Sequence, residues 1–133
     1  VEIRLPVAGS LRQNAHVAVA EDVNRRELDR YVQRVGDRWP LQRAMLGGAR
    51  IEDLQGAGRQ RERGPEFVVV LVSEFFDGVP WLERVYQAGS LWDAAEMGDT
   101  ADVHCYTPPE FARKVEALPA VRRAADSGMA ILR

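Results

Sequence analysis

Hydrophobic positions along the chain follow two periods. Leu28, Tyr31, Val32 and Val35 recur at i, i+3, i+4 and i+7, the stripe of an amphipathic helix. Asn24 is placed to cap it, with Glu27 three residues on as a capping box requires, and Gly36 is placed to end it. Before it, Ile3, Leu5 and Val7 alternate on one parity, and Val17 and Val19 on another, with Gly9 and Ser10 between. This predicts two short strands, or a hairpin with a long loop. Residues 41–46 suit a short strand running into Gly47 and Gly48. Phe67–Val72 is an unbroken apolar run, the pattern of a strand buried on both faces and so central in a sheet.

Asp77 and Pro80 announce a further helix, with Leu82, Val85 and Tyr86, and Trp92 beyond it, expected to face the core. A polar loop spanning residues 93–100 leads to residues 102–106. There Val103 and Cys105 alternate with Asp102, His104 and Tyr106, the period of a half-buried strand. Thr107, Pro108 and Glu110 spell a capping box with proline at the first helical position. Phe111, Val115 and Leu118 give that helix its apolar face. Pro119 starts another short helix, Ser127 and Gly128 end it, and residues 129–132 suit a last strand. Strands and helices alternate, which predicts an α/β (α+β) fold: a small mixed β-sheet with helices packed on it. Residues 47–65 stay irregular in this reading, broken by Gly47, Gly48, Gly56, Gly58, Gly64 and Pro65.

Composition narrows the function classes. At 133 residues and 46% hydrophobic content the chain reads as one domain, residues 1–133, with residues 1–23 as an N-terminal strand extension and residues 24–133 as the core. It is long enough to bury about two-thirds of its unfolded surface. Eighteen basic against twenty acidic side chains give a net charge of −2, which argues against a nucleic-acid partner. The single cysteine, Cys105, argues against a disulfide-stapled secreted scaffold. No run of about 18 apolar residues suggests a membrane span, and the charged start does not read as a signal peptide. A cytoplasmic location is the expectation.

Asp102 and His104 share a strand face while Cys105 points to the other, so Cys105 reads as a core residue rather than a catalytic thiol. Asp102 and His104 alone are too few for a zinc site. Arg50, Arg59, Arg61 and Arg63 load the irregular stretch with charge. Such a segment suits either phosphate binding, through guanidinium forks and glycine-exposed amides, or a solvated surface loop. Trp39, Trp81 and Trp92 read as core or interface residues.

Three segments resemble small bacterial nucleotidyltransferases of the polymerase-beta superfamily, over residues 25–132. Leu46, Gly47, Gly48, Ala49 and Arg50 are similar to that family's Leu-Phe-Gly-Ser-Arg entry. The strand at Phe67–Val72, followed by Ser73 and Glu74, resembles the one carrying its Asp-x-Asp pair. Residues 101–111 are similar to its third strand, whose aspartate precedes a Tyr-Thr-Pro-Glu-Phe helix start. The resemblance implies two divalent cations, Mg2+ or Mn2+, held by three carboxylates, one activating an attacking hydroxyl and one gripping a nucleotide triphosphate.

Carried over residue by residue, Gly48 and Arg50 match, and Ala49 stands where serine is expected. Glu66 falls at the first aspartate, Val68 at the second, and Asp102 at the third. Catalytic and metal-binding roles would thus fall to Glu66 and Asp102, and nucleotide or phosphate binding to Gly48, Ala49 and Arg50. Without the Val68 carboxylate and the Ala49 hydroxyl, the resemblance implies a degenerate site. The expected function is then a nucleotide- or phosphate-binding, regulatory or interaction module, with a protein partner or homodimer in keeping with the family, and with no cofactor unless the metal site survives. Two alternatives stand beside it. One is an active metal-dependent nucleotidyltransferase, its site rebuilt from Glu66, Asp102 and another carboxylate such as Glu74. The other is an unrelated α/β binding domain.

Overall fold

Phe67–Val72 forms a strand, β2, that is buried at every position. The computed structural model, which describes residues 23–54 and 64–132, explains why: β2 has a neighbour along each edge and helices over each face. Arg43–Gly47 (β1) pairs antiparallel on one side, with Met45 opposite Val70 and Gly47 opposite Val68. Ala101–Tyr106 (β3) pairs parallel on the other, with Val68 opposite Asp102, Val70 opposite His104 and Val72 opposite Tyr106. Met129–Ala130 (β4) joins the far side of β1 antiparallel. The order β3-β2-β1-β4 makes a small mixed sheet, and the fold is mixed α/β.

The period of two along β2 and β3 divides the core into two layers. Phe67, Val69 and Leu71 join Val103 and Cys105 on one face. The helix Arg25–Arg38 (α1) covers that face with Leu28, Tyr31, Val32 and Val35. Val68, Val70 and Val72 face the other way, with Tyr106, Phe111, Val121 and Ala124. There Pro108–Ala117 (α5) and Pro119–Ser127 (α6) pack on the sheet. Between β1 and β2 lies a short helix, Ala49–Leu54 (α2). The parallel crossover from β2 to β3 runs through a 3-10 turn at Glu74–Phe76 and the helices Trp81–Ser90 (α3) and Ala94–Met97 (α4).

The helix starts were legible locally. Asn24 caps α1, its side chain accepting from the Glu27 amide at 3.1 Å. The Glu27 carboxylate does not reach back as a capping box would; it is buried and turns to Arg30 and Arg34. Thr107 and Glu110 form the full reciprocal box at the start of α5. Pro119 opens α6, and Gly128 follows its last residue.

Four expectations need correction. Gly36 does not end α1. A side chain there would meet nothing within 4 Å, so the helix passes through it and stops at Trp39, whose extended backbone is what a following proline, Pro40, requires. The irregular stretch holds α2. The polar loop before β3 holds α4, capped by Asp93 and closed by Gly98 in the left-handed region. Finally, α3 presents a different face from the one expected: Arg84 and Ala88 are its buried residues, while Leu82 is 79% and Tyr86 76% exposed. Trp92 does pack on the core, against the rings of Tyr31 and Phe67 at 5.1 and 5.4 Å. The strands expected within residues 1–20 and the arginines at 59, 61 and 63 lie outside the described residues. Among the described residues no helix is long and apolar enough to cross a membrane.

Candidate functional site

Gly48 is the hinge on which the candidate site turns. It lies between β1 and α2 with a φ of +108°, and a Cβ there would fall 2.6 Å from Glu66 O and 2.8 Å from both Phe67 Cα and Val68 N. Only glycine fits this backbone and this approach. The turn lays the start of α2 against the entry to β2: the Ala49 amide donates to Pro65 O at 2.8 Å and the Arg50 amide to Glu66 O at 3.0 Å. Those two amides are thereby committed to carbonyls.

Arg50 and Glu66 are each other's partners. Arg50 Nε lies 3.2 Å from Glu66 Oε1, and the guanidinium sits 5.0 Å from the centroid of the Phe67 ring. A cation over an aromatic face and beside a carboxylate is held on both sides.

Asp102 stands one strand away, directly opposite Val68. Residues 48–50, 66–68 and 102 therefore converge on one end of the β1-β2-β3 sheet. Glu66 immediately precedes β2, two residues before the Asp102 partner Val68. Asp102 is exposed and engaged along its own strand. His104 Nε2 is 3.1 Å from its Oδ2, and His104 Nδ1 is 2.9 Å from the Tyr106 hydroxyl. A carboxylate oxygen accepts, so Nε2 donates to Asp102, while Nδ1 shares a hydrogen bond with the Tyr106 hydroxyl. Burial, with Asp102 adding to it, pushes the Tyr106 phenol up to about 12, so it stays protonated and able to donate. The line from Asp102 through His104 to Tyr106 joins an exposed carboxylate to a buried hydroxyl. Cys105, on the opposite face, is buried, and desolvation pushes its thiol up to about 12; it takes no part.

The donor set does not fit a pair of divalent cations. Hard cations take oxygen ligands, and a two-metal centre needs carboxylates that face both ions. Of the three positions, Val68 offers a hydrocarbon packed with the layer of Met45 and Tyr106, Glu66 is salt-bridged to Arg50, and Asp102 accepts from His104. Among the described residues no group of three or more histidine, cysteine, aspartate or glutamate side chains is arranged to hold a metal ion. Glu74 follows the opposite end of β2, beyond reach of Asp102.

Sequence reasoning placed Gly48, Glu66, Val68 and Asp102 together. It missed the pairing of Arg50 with Glu66 and the burial of Arg84. The first pair spans sixteen positions, and its only local signal is one opposite charge on either side of the glycine-rich stretch. Arg84 was detectable through its spacing of four from Ala88, which places both on one helix face.

No protein-family model matches the chain, and no curated protein and no solved structure gives a significant match.

Proposed function

We propose that this chain is a nucleotidyltransferase-like domain that binds rather than transfers. The reading rests on the register of β2 and β3: Val68 is the partner of Asp102 at the position where a bridging carboxylate would have to stand. The convergence of the Gly48 turn, the Glu66 entry and Asp102 on one sheet end supports descent from such a site. The identity of Val68, together with Ala49 in place of a hydroxyl, supports loss of the transfer step. Each missing electrostatic contact is worth about 3–4 kcal/mol where charge develops on a transferring phosphoryl group. Two independent losses slow transfer by roughly four to six powers of ten.

The test is paired. Labelled nucleoside triphosphate is incubated with the chain and Mg2+ or Mn2+, and transfer to protein or small-molecule acceptors is followed while equilibrium binding of the same nucleotide is measured. Binding without turnover is the expected result. Robust turnover that Asp102→Ala abolishes would overturn the proposal in favour of an active enzyme.

A further inference from the structure

Among the described residues the large hydrophobic side chains left exposed are Phe75, Trp81, Leu82 and Tyr86, at 55%, 41%, 79% and 76%. All four fall in one short span, residues 75–86, running from the 3-10 turn through the sixth residue of α3. Scattered exposed apolar residues are ordinary, but a concentration of aromatic and leucine side chains in one segment marks a contact surface. Leu82 and Tyr86 are four apart and share a helix face.

The segment is held firmly from beneath. Trp81 stacks on Tyr106 with centroids 5.3 Å apart. Arg84, under the helix, donates from Nε to Val79 O at 2.8 Å and from Nη1 to Cys105 O at 3.2 Å. Its guanidinium lies 5.7 Å from the Phe76 ring centroid and 5.9 Å from that of Trp81. Aromatic anchors fixed before binding lose little freedom when a partner arrives.

Charge decides the partner. Glu74, Asp77 and Glu83 are exposed within and beside the same span. Its sole cation, Arg84, is buried and paired with Glu110 at 2.7 Å. The segment is therefore apolar with a rim of its own acidic groups, bordered by Arg38 of α1, which donates to Gln87, itself bonded to Glu83. We propose that it docks a basic amphipathic protein segment, with apolar residues on Leu82 and Tyr86 and arginine or lysine against the rim. A second copy of this chain is disfavoured because a two-fold contact sets the acidic rim against itself. An anionic lipid surface is disfavoured by the same repulsion. The surface lies at the opposite end of β2 and β3 from Gly48 and Asp102, so the inference stands whether or not the proposed function does.

The probe is a random peptide library displayed on phage, selected against the whole chain. The expected consensus combines basic and apolar residues at helical spacing. The consensus peptide, fluorescently labelled, is then titrated against the wild-type chain, Leu82→Ser/Tyr86→Ser and Glu74→Gln/Asp77→Asn/Glu83→Gln. These positions are exposed, and circular dichroism checks that each variant is folded. Roughly tenfold or greater weakening in the first variant, and weakening of the charge variant to the level the wild type shows in high salt, is the expected outcome. An acidic or uncharged consensus, no enrichment, or affinity unchanged in both variants overturns the proposal. So does self-association in sedimentation, or flotation with phosphatidylserine vesicles, that Leu82→Ser/Tyr86→Ser abolishes, since either assigns the surface to another occupant.

Discussion

Arg84 on α3 and Glu110 on α5 meet at the end of β3, Nη1 to Oε1 at 2.7 Å. The same Oε1 accepts the Thr107 amide at 2.8 Å, so one carboxylate closes the cap of α5 and neutralises the buried guanidinium of α3. Hydrogen bonding from Arg84, helped by the Thr107 contacts against a smaller desolvation penalty, holds the Glu110 carboxyl below its ordinary value. A carboxyl with a lowered folded-state pKa contributes stability above its unfolded pKa and loses it as pH falls through the folded value. The chain should therefore lose stability below about pH 4.5, and Glu110→Gln should flatten that loss while lowering stability at neutral pH by about 2 kcal/mol. Urea denaturation at a series of pH values checks both; parallel profiles for the two proteins would sink the assignment.

Gly48→Ala should destabilise the domain by at least about 2 kcal/mol, because the new Cβ meets backbone rather than a yielding side chain and the positive φ is strained for any other residue. Gly36→Ala, in the middle of α1 with open space around it, should instead stabilise by about 0.5–1 kcal/mol. Equilibrium unfolding of the two variants side by side measures the contrast. Equal effects would mean that the Gly48 turn is not the close approach described.

Val70 sits in the middle of the central strand with no exposure. Val70→Asp should abolish soluble folding, since an unpaired buried charge costs several kcal/mol, comparable with the stability of a whole domain. Recovery of a soluble variant with native unfolding behaviour is the contrary outcome.

The Cys105 thiol should resist alkylating and disulfide-exchange reagents at pH 8 in the folded protein and react fully in guanidinium chloride. Burial both blocks access and keeps it protonated, and only the thiolate is nucleophilic. Timed thiol counting under native and denaturing conditions decides it; rapid native labelling would mean that the layer beneath β3 opens readily.

What could be read from the sequence was what short stretches of chain determine by themselves. The apolar run at Phe67–Val72, the alternation around Val103 and Cys105 and the box from Thr107 to Glu110 each carry their own instruction. The face of α3 did not follow from its pattern. Leu82 and Tyr86 look like core positions, yet the space beneath α3 is taken by an arginine whose partners, Cys105 O and Glu110, come from elements that follow it. The convergence of Gly48, Glu66 and Asp102 was visible through resemblance, and the register between Val68 and Asp102 then located it in space. The competition for Glu66 by Arg50 depends on how closely the turn approaches β2, which no local pattern reveals.

The order of strands across the sheet has a consequence for the growing chain. The middle pair, β1 and β2, is synthesised first, and both strands that flank it come later, β3 ending at Tyr106 and β4 at Ala130. Until residues 101–106 leave the ribosome, one edge of a valine-rich strand with no charge and no proline lacks the neighbour that covers it in the finished sheet. That is the composition most prone to intermolecular β-pairing. Slow translation between residues 72 and 101 would lengthen that exposure, so a strand shielded on every side in the finished domain would spend part of its synthesis with an open edge.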